Sequence, residues 1–78
     1  MEKRIDQKKL QAMREEFEPG TVIVLDKMED PYRSIPIGTK GVVSHVDDIG
    51  TIHAKWENGV QLGLVYGVDY CHVDSSKG

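Results

Sequence analysis

The chain has 78 residues, one cysteine, and 10 Lys and Arg against 13 Asp and Glu, for a net charge of −3. That length holds one domain, close to the lower limit for folding without staples. A single cysteine excludes an intrachain disulfide and suits a reducing compartment, while the lack of a long apolar run or an apolar leader core predicts a soluble, cytoplasmic protein with no membrane association.

Residues 1–18 carry five basic and five acidic side chains, so the whole net charge falls on residues 19–78. A surface with that balance repels a phosphate backbone at long range, which disfavours nucleic acid as a partner.

Residues 2–17 are predicted to form a helix. Leu10, Met13 and Phe17 follow spacings of three and four, Ile5 extends the stripe, and Pro19-Gly20 stops it. A helix this short needs a surface to pack on. It either caps the open end of the domain that follows or serves as a dimerising or partner-binding helix.

From Thr21 the pattern changes to that of strands. "TVIVL" (21–25) is β-branched and apolar, and a long connection through Pro31, Pro36 and Gly38 follows it. "KGVVSHV" (40–46), "TIHAKW" (51–56), "VQLGLV" (60–65) and "YCHV" (70–73) complete five strands. The "DDIG" turn sets His45 opposite His53, Ser44 opposite Ala54 and Val46 opposite Ile52. Val42 then shares the face of Trp56.

At "ENG" two turns compete. A two-residue Asn-Gly turn would strand Leu62 on the face of Lys55. A three-residue loop with Gly59 left-handed aligns Ala54 with Leu62 and Ile52 with Leu64. Burying two leucines is worth roughly 3–6 kcal/mol, far more than the turn preference, so the three-residue loop is expected. The expected core is Val24, Val42, Val46, Ile52, Ala54, Trp56, Leu62, Leu64 and Val73.

Long loop, tight turn, tight turn and the short "YGVD" connection (66–69) together predict a mainly β fold, a small five-stranded SH3-like barrel preceded by one helix. The helix takes 1–18, the barrel 19–74 and a frayed tail 75–78.

The run from Pro19 to Val73 carries DPY, GTKG, VDDIG and W-x-NG in order, and in this it resembles the domain of unknown function 4314 family. The resemblance covers most of the chain. It implies a small protein of phages, prophages or conjugative elements of Gram-positive bacteria, and hence a bacterial host cytoplasm. It carries over no activity and no catalytic residue.

The residues themselves point away from catalysis. Cys71 lies in an apolar strand, Ser34, Ser44, Ser75 and Ser76 have no base placed by a motif, and Gly38-Thr39-Lys40-Gly41 is a turn rather than a phosphate loop. No cofactor and no metal is expected. Cys71 and His72 point to opposite faces of a strand, and His45 with His53 lacks a third ligand. Asp47, Asp48 and Gly50 read as turn residues.

What remains is a non-catalytic binding module acting on a host protein. Its expected surface joins the 26–39 loop to the 65–70 turn through Met28, Tyr32, Arg33, Tyr66 and Tyr70. A second reading is an oligomeric sponge that sequesters a nucleotide immune signal, as a counter-defence device. Lys27, Arg33 and Lys40 could converge on an anion, and the reading needs Arg33 or Lys40 to face a joint between copies, because one chain this small is a poor host for a nucleotide pocket. A third is a nucleic-acid accessory protein using Arg4, Lys8 and Lys9.

Overall fold

The computed structural model describes residues 6–28 and 35–74. One helix, α1 (Gln7–Glu16), precedes five strands: β1 (Val22–Lys27), β2 (Lys40–Val46), β3 (Ile52–Trp56), β4 (Gln61–Leu64) and β5 (Tyr70–Val73). All pairings are antiparallel, in the order β4-β3-β2-β1-β5. The sheet is open, with β4 and β5 as its edges.

Helix α1 starts later than the apolar stripe suggests. Asp6 is its N-cap, with a carboxylate accepting from the Lys8 amide at 3.0 Å, and Ile5 lies outside the described residues. At the other end the Phe17 amide bonds the Met13 carbonyl at 2.7 Å. Leu10, Met13 and Phe17 are all buried in the same core as the sheet. The helix therefore packs within its own chain. Arg14 fastens it further, donating from Nε to the Val46 carbonyl and from a terminal nitrogen to Asp48.

The β3–β4 hairpin follows the expected register, with Ala54 opposite Leu62 and Ile52 opposite Leu64. Glu57, Asn58 and Gly59 form its loop. The Trp56 amide bonds the Val60 carbonyl, and Gly59 has φ of +86°. The Trp56 indole is 2% exposed and donates from Nε1 to the Leu62 carbonyl at 3.2 Å.

The β2–β3 register requires a correction. Val46 pairs with Ile52 and His45 with His53 as expected, but Ser44 does not oppose Ala54. Ser44 is an extra residue in the ladder, a bulge, and Val43 takes its place opposite Ala54. Every side chain before the bulge consequently changes face. Val43 is 2% exposed, whereas Val42, expected in the core beside Trp56, is 46% exposed. The facing partner of Trp56 is Gly41.

β1 also differs in phase. Ile23 and Leu25 are fully buried, while Val24 is only half-buried. A strand with apolar residues at every position has no polar mark to fix its phase, and burying the two larger side chains removes more area from water. Val73 is likewise half-buried against the core. The strand runs two residues beyond Leu25, through an irregularity at Asp26, before the long connection begins.

Candidate functional site

β4 ends at Leu64, and the next five residues turn the chain back into β5. Val68 and Asp69 both donate to the Val65 carbonyl, at 3.0 and 2.9 Å, and the Val65 amide donates to the Asp69 carboxylate at 3.1 Å. Gly67 has φ of +84°, and its carbonyl accepts from the Tyr70 hydroxyl at 3.3 Å. With its backbone so engaged, the turn holds its side chains outward. Val65, Tyr66, Val68 and Tyr70 are all exposed, Tyr66 at 44% and Tyr70 at 50%.

Beside this turn lies a groove of about 340 Å³, bounded on one side by α1 through Lys9, Met13, Glu16 and Phe17. Tyr66, Asp69, Tyr70 and Cys71 bound the other side, and Ile52 and Leu64 belong to the core beneath. The groove thus lies where the helix meets the β4–β5 turn. Its lining combines aromatic, aliphatic and charged groups at a scale suited to one or two side chains of a partner.

Two of the six residues expected at a ligand surface, Tyr66 and Tyr70, come together here. Met28 follows β1 and packs against the core, and Tyr32 and Arg33 lie outside the described residues. Lys40 is elsewhere. It lines a separate hollow of about 380 Å³ with Val22, Val42, Lys55 and Glu57, and its Nζ is 3.0 Å from the Asp74 carboxylate. Lys27, another cation considered for an anion site, lies over the Tyr70 ring with Nζ 5.8 Å from its centroid. The 380 Å³ hollow is the larger, but its one aromatic wall, Trp56, is a buried core residue. The groove is the stronger candidate because its aromatic rings are accessible.

Cys71 contributes a thiol to the groove. Burial pushes its pKa up to about 11, and the negative charges of Asp26 and Glu16 add to that effect. Such a thiol is a poor nucleophile near neutral pH.

Two of the three histidines, His53 and His72, are held by carboxylates that sequence reading did not pair with them. His45 and His53 stack with ring centroids 4.4 Å apart and planes 10° apart, and His53 Nε2 lies 2.9 Å from Asp47. His72 Nδ1 lies 2.9 Å from both Asp26 oxygens. Asp47 does act as a turn residue, accepting from the Ile49 and Thr51 amides. Its bond to His53 crosses the hairpin and becomes visible in sequence only once the strand register is fixed.

The 65–70 turn is half of the expected surface, and its Val65 and Val68, not among the residues expected to carry that surface, are exposed as well. The groove walls Met13 and Phe17 were read only as a core stripe. Four apolar or aromatic residues in the six from Val65 to Tyr70, around a glycine, were the available signal.

The family model described as Domain of unknown function (DUF4314) matches residues 6–73, nearly the whole chain. The chain belongs to this family. The match spans the helix, all five strands and both walls of the groove. No curated protein and no solved structure matches the chain. Among the described residues no helix is long and apolar enough to cross a membrane.

Proposed function

We propose that the chain is a non-catalytic binding module, carried by a phage or mobile element, that acts by occupying a host protein in the cytoplasm. The observation that carries this reading is the cluster of four exposed apolar and aromatic side chains at 65–70 beside the groove. Contiguous exposed apolar surface on a small protein commonly marks a site of interaction. The tyrosines suit such a role, since each offers a large apolar face and a polar tip.

We also read the sheet as an SH3-like barrel that does not close. The strand order, the long connection after β1 and the short turn before β5 support that reading. In this arrangement α1 lies against the sheet with its apolar stripe, leaving the groove at the boundary between helix and turn.

The test is capture from host lysate with the wild-type chain and with Tyr66→Ala and Tyr70→Ala, with mass spectrometry of what is retained. The same protein should be enriched by wild type and lost with each variant, while both variants keep their native circular dichroism. Retention unaffected by either substitution would place any interaction elsewhere and remove the groove from consideration. The nucleotide reading gains less support, because Lys40 is engaged by Asp74 and Lys27 lies over Tyr70.

A further inference from the structure

We propose that Asn58, the chain's single asparagine, is a modification site gated by the fold. Its carboxamide becomes a carboxylate through a cyclic imide, and does so only when the β3–β4 loop opens. The residue that follows it makes the reaction accessible. Gly59 has no side chain to shield its main-chain nitrogen, and both residues are exposed at the tip of the hairpin. The Gly59 nitrogen gives its proton to solvent and attacks Asn58 Cγ. The Cγ–N bond forms, the Cγ–Nδ2 bond breaks, and Nδ2 takes a proton from water and leaves as ammonia. Water then opens the imide at either ring carbonyl. Breaking the Cγ–N bond leaves an aspartate, and breaking the bond from the Asn58 carbonyl carbon to nitrogen leaves an isoaspartate. Water is the only co-reactant, and nothing is oxidised or reduced.

The closed loop keeps the two reacting groups apart. The Gly59 amide donates to the Trp56 carbonyl at 2.8 Å, which closes a four-residue turn from Trp56 to Gly59. Glu57 and Asn58, its central residues, both have negative φ, as in a type I turn. Attack on Cγ requires a large rotation about the Asn58 Cα–C bond, and that rotation breaks the bond to Trp56. The carboxamide is held as well, because Asn58 Oδ1 accepts from the Val60 amide at 3.1 Å. Trp56 itself is buried in the core, so it does not follow an opening of the tip. An isoaspartate would route the main chain through Cβ and add a carbon to a three-residue loop. The hairpin could not then close as before.

The experiment incubates the full chain, folded and unfolded in urea, at the same mildly alkaline pH. Peptide mass mapping follows the exchange of amide for carboxylate at Asn58, and hydrogen exchange of the Gly59 amide is measured in the folded chain. Conversion should be about tenfold or more slower in the folded chain, and the Gly59 amide should be protected by a similar factor, since both need the same opening. Equal rates of conversion in the two states overturn the proposal. A slow folded chain whose Gly59 amide exchanges freely also overturns it, because the bond to Trp56 is then not the gate. No conversion at Asn58 in urea removes the site itself.

Discussion

Gly41 lies directly against the indole of Trp56. A methyl group built on Gly41 would come within 2.6 Å of Trp56 Cε3, closer than any real contact of that kind. Trp56 is buried and hydrogen-bonded through Nε1, so a shift of the ring would disturb that bond and the packing around it. Glycine is required here by close approach of side chain to backbone, with no special backbone angle involved.

Gly41→Ala should therefore destabilise the fold by about 1–3 kcal/mol, the range for forcing a methyl into a packed core. Urea unfolding followed by Trp56 fluorescence measures it directly. Gly63→Ala is the matched control. Its added methyl would meet Thr51 Cγ2 at 2.7 Å, on a half-buried side chain that can rotate, so a loss of about 1 kcal/mol or less is expected. Equal losses for the two variants would mean that the Trp56 contact is not the cause.

Leu10→Ala should cost about 2–5 kcal/mol, because the leucine is buried between α1 and the sheet. The loss should be the same at low and high protein concentration. A stability that rises with concentration in the wild type, and no longer does so in the variant, would mean that the helix joins copies. Equilibrium unfolding at two concentrations a hundredfold apart separates the cases.

Asp47 sets a pH dependence. Burial alone would raise its carboxyl pKa, but bonds from His53 and from the Thr51 and Ile49 amides, with the charge of His53, outweigh it and hold the pKa below the ordinary value. A carboxyl depressed in the folded state contributes stability that is fully present above its unfolded pKa, near 4, and is lost as pH falls through the folded value. Asp47→Asn should therefore be less stable than wild type at pH 7, and the gap in urea midpoint should shrink as the pH is lowered toward 2. A gap that stays constant over that range would assign the loss to altered turn geometry rather than to titration.

Much of the architecture follows from local pattern. The helix stripe Leu10, Met13, Phe17 and the break at Pro19-Gly20 locate α1, and the alternation of Ile52, Ala54 and Trp56 with His53 and Lys55 fixes which face of β3 is buried. That alternation, with Leu62 and Leu64 across the loop, also settles the β3–β4 register, since a shift by one residue exposes both leucines. The competing turn preference is too small to overcome them. Of the site, Tyr66 and Tyr70 were legible from their place around the turn before the last strand.

The tertiary structure decided what alternation leaves ambiguous. Residues 22–25 are apolar at every position, so only packing selects Ile23 and Leu25 over Val22 and Val24. In β2, Val42 and Val43 are interchangeable as a pattern. The bulge at Ser44 breaks the choice, because it brings Gly41, with no side chain, under the wide face of Trp56. The groove is likewise a product of assembly. Lys9, Met13 and Glu16 stand fifty or more residues from Tyr66 in the chain. They line one groove with it only because the helix must bury its stripe against the sheet, and that burial brings α1 alongside the β4–β5 turn.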